Sequence, residues 1–161
     1  MRSRLVKLMD EAGDRSVTGD IAAAVAEYAE SVPARVALAR KLQQLEEEIG
    51  AATLERAKAA DPGFAGRHVD AWNKGLDDFA LVGRTCIQAM LLDRVEELDS
   101  RLLDWQCDMY EQFGFRPDFV RACYAGLWDE TRARITDSEA ALIQPYFEHC
   151  VARLAAIPEP A

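Results

Sequence analysis

Residues 71–98 read AWNKGLDDFALVGRTCIQAMLLDRVEEL, and this stretch decides the fold class. Apolar and small side chains recur there every three or four positions, namely Leu76, Phe79, Ala80, Gly83, Cys86, Ile87, Met90, Leu91, Val95 and Leu98. Such a period places them on one face of an α-helix. The stretch therefore predicts one long amphipathic helix from about Ala71 to Leu98.

Two more apolar helix faces precede this helix. The first is formed by Ile21, Val25, Tyr28 and Val32. Thr18 is suited to cap that helix, and Pro33 is expected to end it because the residue before a proline avoids helical geometry. After Pro33, a spacing of four and three residues typical of a coiled coil predicts a stripe that packs inside the domain or against a partner. That stripe consists of Leu38, Leu42, Leu45, Ile49 and Ala52.

The C-terminal half contains local signals for helix boundaries. A helix over Arg101–Gln112 is expected to stop at Gly114, since glycine accepts the left-handed conformation. Pro117 suits the first position of the next helix. Thr136 and Glu139 have the spacing of a capping box at the start of the last one. These patterns predict a single all-α domain over residues 1–161, with about seven helices, an N-terminal helical extension and a loose tail at 156–161.

The composition argues against several classes of function. The net charge of −9 is unfavourable for binding nucleic acids or anionic lipid surfaces. No stretch is apolar enough for a membrane helix, and the N-terminus lacks the apolar core of a secretory signal, so we expect a cytoplasmic protein. The four cysteines are scattered, which predicts reduced core residues: Cys86, Cys107, Cys123 and Cys150.

The sequence carries no motif that indicates an enzyme or a metal site. His68 and His149 are its two histidines, and they do not form a pair with metal-ligand spacing. His149 and Cys150 are adjacent, but neighbouring helix positions point about 100° apart, so they are not expected to form a reactive pair. Glycine-rich phosphate loops and nucleophile elbows are absent from the sequence.

Several fragments, taken in order, resemble phycobiliproteins, which are helical relatives of the globins. Residues 75–81 (GLDDFAL) and 95–98 (VEEL) are similar to that family's Asp-Leu-Asp-Tyr-Tyr-Leu-Arg and Ile-Glu-Glu-Ile segments. Residues 18–20 (TGD), 108–114 (DMYEQFG) and 145–149 (PYFEH) resemble its Ser-Pro-Gly-Glu, Glu-Met-Tyr-Lys-Ser-Leu-Gly and Ala-Tyr-Phe-Asp-Tyr segments. The resemblance covers most of the chain and implies a globin-like bundle.

The resemblance also shows where this chain departs from its family. The family attaches a bilin, a linear tetrapyrrole, through a cysteine early in the long helix, and the corresponding residue here is Trp72. The family's arginine two residues later becomes Lys74, and its pyrrole-binding aspartate becomes Gly75. The chain therefore resembles the bilin-binding globins of non-antenna bacteria more than a light-harvesting subunit.

The resemblance implies a non-covalent site for biliverdin or a phycocyanobilin-like bilin. A bilin needs aromatic walls, cations for its two propionates and a polar group near its nitrogens. The candidate cations are Arg67, Lys74 and Arg84, and the candidate carboxylates are Asp77 and Asp78. The candidate walls are Trp72, Phe79, Trp105, Tyr110, Phe115 and Tyr124. Each of these residues also has a structural interpretation, as a solvated charge, a first-turn carboxylate or part of the core.

Three functions stay open from the sequence. The first is a bilin-binding globin in bilin biosynthesis, carriage or sensing, with bilin-synthesis enzymes as possible partners. The second is a ligand-free, sensor-type globin that forms a homodimer through its N-terminal helices, with Leu42 and Leu45 in the interface. The third is haem binding, which is disfavoured because the Arg101–Gln112 segment lacks a histidine.

Overall fold

A computed structural model describes residues 4–13 and 18–160. Its helices are α1 (Arg4–Ala12), α2 (Gly19–Ala60), α3 (Phe64–Arg67), α4 (Ala71–Leu92), α5 (Glu96–Leu98), α6 (Asp104–Gln112), α7 (Pro117–Arg132) and α8 (Asp137–Leu154). A π-helical segment, Asp99–Leu103, joins α5 to α6, so residues 96–112 form one continuous helix. Counted this way, the described residues form seven helices and no strand, which confirms the predicted all-α, globin-like bundle.

Helix α2 continues through Pro33, so the prediction that Pro33 ends a helix is wrong. A proline inside a helix lacks one backbone hydrogen bond and costs about 3 kcal/mol. Contacts on both sides of Pro33 oppose this cost. The Tyr28 hydroxyl donates to the carbonyl oxygen of Leu91 at 2.6 Å, and Arg35 Nη2 donates to Asp93 Oδ1 at 3.0 Å. Because both contacts attach α2 to the end of α4, they stabilise the helix on both sides of the proline.

The coiled-coil-like stripe of α2 lies in the core of the chain. Leu38, Leu42 and Ile49 are 1%, 4% and 6% exposed, and α2 packs mainly against α4 and α7. Leu45 is partly buried against the same core. The stripe therefore packs inside the domain, and its leucines are not a free surface for a second chain.

Helix α4 ends at Leu92, six residues earlier than predicted. Asp93 adopts the left-handed conformation with φ of 53°, and its N–H donates to the carbonyl oxygens of Ala89 and Met90. Aspartate tolerates this conformation better than most residues. Val95 and Leu98 are nevertheless buried, because the chain turns and returns them to the same core. The apolar periodicity therefore continues past the end of α4, so periodicity alone does not show where this helix ends.

The boundary signals of the C-terminal half are confirmed. Gly114 has φ of 66°, and Pro117 is at the start of α7. The Thr136 side chain accepts from Glu139 N at 3.3 Å, while Glu139 Oε2 accepts from Thr136 N at 2.7 Å. Thr18 caps α2 by accepting from the N–H of Ile21 at 3.5 Å. These features depend on neighbouring residues in the chain, which is why sequence alone predicts them.

Among the cysteines, Cys86, Cys123 and Cys150 are buried as predicted, and Cys107 is half-buried. Beyond α8, Ile157 is buried, while residues 158–160 are exposed. None of the described helices combines the length and apolarity needed to cross a membrane.

The buried position of Leu42 generates a prediction that distinguishes a role in the folded core from a role in a dimer interface. Leu42→Lys is expected to lower the free energy of unfolding by roughly 3–5 kcal/mol, as for other unpaired buried charges. The control, Gln43→Lys, introduces the same charge at an exposed neighbouring position and should change stability by less than about 0.5 kcal/mol. Urea unfolding followed by circular dichroism measures both. A stable, folded Leu42→Lys monomer would contradict the core assignment.

Candidate ligand-binding cavity

A cavity of about 580 Å³ opens between α3, the N-terminal half of α4, α6 and α7. Its volume lies within the roughly 300–1,000 Å³ typical of small-molecule sites. Leu54 and Ala57 of α2 close it on one side. Val69, before α4, and Phe113, after α6, line it while being strongly exposed, which places them at the rim.

The walls of the cavity are aromatic. The ring centroid of Phe64 lies 5.6 Å from that of Trp72, 5.1 Å from that of Phe115 and 4.4 Å from that of Phe119. Phe115 in turn stacks on Tyr110 with centroids 4.8 Å apart. Helix α3, the turn after α6 and α7 supply most of these rings. The result is a continuous apolar surface suited to a flat, conjugated ligand.

Four side chains form a buried polar cluster at the cavity, which we call the tyrosine cluster: Asp78, Gln106, Tyr110 and Tyr124. The Tyr110 hydroxyl donates to Asp78 Oδ2 at 3.2 Å and is hydrogen-bonded to the Tyr124 hydroxyl. Gln106 Nε2 donates to the Tyr110 hydroxyl at 2.8 Å and to the Tyr124 hydroxyl at 3.2 Å. Gln106 is fully buried. The cluster thus joins α4, α6 and α7 by side-chain hydrogen bonds.

Burial dominates the acid–base properties of this cluster. It raises the pKa of Asp78 above the usual carboxyl value of 3.8; the Tyr110 hydrogen bond opposes this rise, and the charge of Asp77 adds to it. Burial likewise raises the pKa of Tyr110 and of Tyr124 well above the usual value of 10.0. Both hydroxyls are therefore protonated at neutral pH.

Cationic groups line the outer part of the cavity. Arg67 is ion-paired with Asp61, whereas Lys74 is exposed and has no ion-pair partner among the residues that the structure describes. His68 also lines the cavity, where its ring centroid lies 4.4 Å from that of Phe64 and 4.9 Å from that of Phe115. Burial, followed by the charge of Arg67, lowers the pKa of His68, which favours its neutral form.

Most of the residues predicted from sequence meet at this one cavity. Those that line it are Arg67, Trp72, Lys74, Asp77, Asp78, Phe79, Tyr110, Phe115 and Tyr124. The structure thus assembles the early residues of α4 with the ends of α3, α6 and α7, which are distant in sequence. Their role in binding stays a prediction.

Arg84 and Trp105 lie outside the cavity, which corrects two of the predicted positions. Arg84 is seven residues beyond Asp77, about 10 Å further along α4, and its Nε donates to Glu46 Oε2 at 2.7 Å. Trp105 is five residues before Tyr110, about 140° away around α6, so it faces solvent and donates to the Arg101 carbonyl oxygen at 3.3 Å.

Sequence reasoning missed several residues that line the cavity, among them Phe64 and Phe119, and it missed Gln106, which donates to Tyr110 and Tyr124 without lining the cavity. Phe64 and Phe119 appear in the sequence as ordinary apolar helix residues, and nothing local separates a cavity wall from the core. Gln106 had a usable signal, because it lies four residues before Tyr110 and therefore on the same helix face. His149 lies elsewhere, with Nε2 3.0 Å from both carboxylate oxygens of Asp99.

Trp72 and Gly75 are the positions that the sequence resemblance matches to the linking cysteine and the pyrrole-binding aspartate of phycobiliproteins. Trp72 lies at the cavity, where its ring is tilted by 38° against that of Phe64. A Cβ added at Gly75 would meet only Leu54 Cδ1, at the ordinary contact distance of 4.0 Å, so the backbone does not require a glycine there. Asp78 lies three residues after Gly75, on the same side of α4, and is the carboxyl that reaches the tyrosine cluster.

The family comparison agrees with the fold and the cavity. A model of the family described as phycobilisome protein matches residues 4–154. The chain therefore belongs to the phycobilisome protein family, and at the level of that family it is a bilin-binding globin. A search of curated proteins found no match.

The raised pKa of Asp78 generates a stability prediction. Since the folded pKa exceeds the unfolded one, stability from the neutral carboxyl is present below the unfolded pKa and is lost as pH rises through the folded pKa. Relative to wild type, Asp78→Asn should therefore become more stable as pH rises above 3.8. Urea unfolding across pH measures this difference, with Asp108→Asn, an exposed carboxyl of α6, as control. Parallel pH profiles for wild type and Asp78→Asn would contradict the assignment.

Proposed function

We propose that this chain binds a bilin non-covalently and serves bilin biosynthesis, carriage or sensing rather than light harvesting. The observation that carries the proposal is one cavity with aromatic walls, cations on its outer part and a polar cluster on α4, α6 and α7. A bilin has a flat conjugated body, two propionates and a row of polar nitrogens, and the cavity offers a partner for each part. When bound, the bilin supplies absorption of visible light.

Residues at different positions in the cavity bind different parts of the bilin. Phe64, Phe115 and Phe119 provide the surface for the conjugated rings. Lys74 is available for a propionate, whereas Arg67 would share its charge between a propionate and Asp61. The tyrosine cluster provides polar contacts at the buried side.

Two observations support a non-covalent rather than a thioether-linked ligand. The place of the family's linking cysteine is occupied by Trp72, whose indole cannot form the thioether. Cys123 lines the cavity, but it is buried, and burial raises the pKa of its thiol to about 12. A thiol with such a pKa is almost fully protonated at neutral pH and is a poor nucleophile.

The ligand-free dimeric module is the less favoured function. Of the leucines assigned to its interface, Leu42 is in the core and Leu45 is partly buried against it, so a dimer would need another surface. Homodimerisation, association with bilin-synthesis enzymes and a cytoplasmic location stay predictions.

The first test is the absorption spectrum of the protein purified from cells that make biliverdin, before and after denaturation in acidic urea. We expect a long-wavelength bilin band, and we expect the pigment to separate from the denatured chain during gel filtration. Pigment that stays on the denatured chain would overturn the non-covalent proposal. A colourless protein that also shows no spectral change when biliverdin is added would overturn bilin binding itself, and a Soret band would indicate haem instead.

A charge variant tests whether the ligand occupies this cavity. Lys74→Gln should weaken biliverdin binding by about 1 kcal/mol, roughly fivefold, because an exposed cation contributes modestly to a carboxylate contact. Lys58→Gln is the matched control; it removes an equal charge from α2, where Lys58 pairs with Glu55 at 2.8 Å outside the cavity. Fluorescence titration measures both dissociation constants. Equal affinities for the two variants would place the propionates elsewhere.

A further inference from the structure

In the tyrosine cluster, the number of available hydrogens determines which hydroxyl donates and which oxygen accepts. Gln106 Nε2 donates to both tyrosine oxygens, so neither hydroxyl needs to donate back to it. If Tyr124 donates to Tyr110 and Tyr110 donates to Asp78 Oδ2, every hydroxyl hydrogen in the cluster has an acceptor. With Gln106 Nε2 facing the tyrosines, the reverse direction would leave the Tyr124 hydrogen without an acceptor; in this amide orientation Gln106 Oε1 is buried and has no hydrogen-bond partner among the described residues. The chain of donors therefore ends on one oxygen of Asp78.

The other carboxyl oxygen, Asp78 Oδ1, has different surroundings. It has no hydrogen-bond partner within residues 4–13 and 18–160, and Asp78 lines the cavity. No cation in that part of the chain forms an ion pair with Asp78, and Asp77, the adjacent residue, is itself acidic. A half-buried carboxylate with one hydrogen bond, no countercharge and a like-charged neighbour is poorly stabilised. A proton on Oδ1 removes that charge and creates a donor directed to the cavity.

We propose that Asp78, held by Tyr110, Tyr124 and Gln106, is the specificity-determining donor of this cavity, a neutral carboxylic acid whose Oδ1–H binds a carbonyl oxygen of the ligand. This inference rests on the proposed function and narrows it. The ligand class is a linear tetrapyrrole with a lactam-type carbonyl at the buried side. An adjacent lactam N–H can donate in turn to the same carboxyl, giving a paired contact.

This role differs from that of a countercharge, and the difference can be measured. A carboxylate that pairs with a ligand cation binds better once it is ionised, whereas a neutral acid loses its donor on ionisation. Burial raises the pKa of Asp78, so the neutral form persists to higher pH than in a solvated carboxyl. Affinity is therefore expected to fall as pH rises through the folded pKa of Asp78.

Other titratable groups at the cavity must be separated from Asp78. They are Arg67 and His68 before α4, Lys74 and Asp77 on α4, and Cys123 on α7. In the dimethyl ester of biliverdin both propionates are uncharged methyl esters, so it makes no ion pair with Arg67 or Lys74. His68→Gln removes the imidazole that titrates nearest to neutrality and leaves Asp78 in place.

The experiment compares dissociation constants of the biliverdin dimethyl ester from about pH 4, close to the usual carboxyl value of 3.8, to about pH 8 for wild type, Asp78→Asn, Asp78→Leu and His68→Gln. Wild type and His68→Gln should lose affinity about fivefold to tenfold across this range. Asp78→Asn keeps an N–H donor, so it should bind within about twofold of wild type at low pH and show no pH dependence. Asp78→Leu has no donor and should bind about fivefold to tenfold more weakly at low pH.

Specific results would overturn the inference. Equal affinities for Asp78→Asn and Asp78→Leu would show that no donor is needed at this position. A pH dependence that disappears in His68→Gln would assign the effect to the imidazole. If Asp78→Asn binds free biliverdin as wild type does but shows the same pH dependence, the inference fails while bilin binding stands.

An infrared measurement on the ligand-free protein provides a second readout. A carboxylic acid C=O band that persists in wild type as pH rises above the usual carboxyl value of 3.8, and that is absent in Asp78→Asn, would support the neutral acid. Its absence from wild type would overturn the inference without touching the proposed function. Failure of wild type to bind either biliverdin or its ester would overturn both.

Discussion

The attachment of α2 to the end of α4 is the constraint on which the remaining packing depends. Arg35 and Tyr28 lie on either side of Pro33, and both bond to the last turn of α4 or to Asp93 beyond it. The Asp93 carboxylate also accepts from the Tyr146 hydroxyl at 3.0 Å, which brings α8 to the same point. With this end of the bundle closed, α2 extends its apolar side along α4 and α7. The opposite end, where α4 begins, is left open and contains the cavity.

The cavity is open because the elements at that end are short and rich in rings. Helix α3 has four residues, and the turn after α6 reverses at Gly114, so neither fills the space as a long helix would. Aromatic side chains line the space but do not fill it, because the rings contact one another along the wall of the cavity. Protein interiors are normally close-packed, so a space of this size distinguishes this end of the bundle from the remaining core.

Within the phycobilisome protein family, this chain differs at the positions that its sequence resemblance matches to the family's bilin attachment. Trp72 replaces the linking thiol with a ring, and Gly75 lacks the carboxyl found at the matching family position. The carboxyl of Asp78, three residues after Gly75, accepts from the hydroxyl of Tyr110 on α6, which is hydrogen-bonded in turn to Tyr124 on α7. A helix places residues three apart on one side, so the acid reaches the same cavity from a different turn.

The sequence by itself determined the features that depend on near neighbours in the chain. Apolar periodicity identified the helices, and the Thr136 capping box, Gly114 and Pro117 marked their boundaries, because those rules act within a few residues. Tertiary structure alone decided that α2 continues through Pro33 and that α4 ends before Asp93. It also decided that Phe64 and Phe119 line the cavity and that Arg84 and Trp105 do not. Several of these outcomes depend on a partner distant in sequence, such as Leu91 for Tyr28 or Glu46 for Arg84. Periodicity assigns a residue to a helix face, but the height along the helix and the identity of the opposing surface are set by packing.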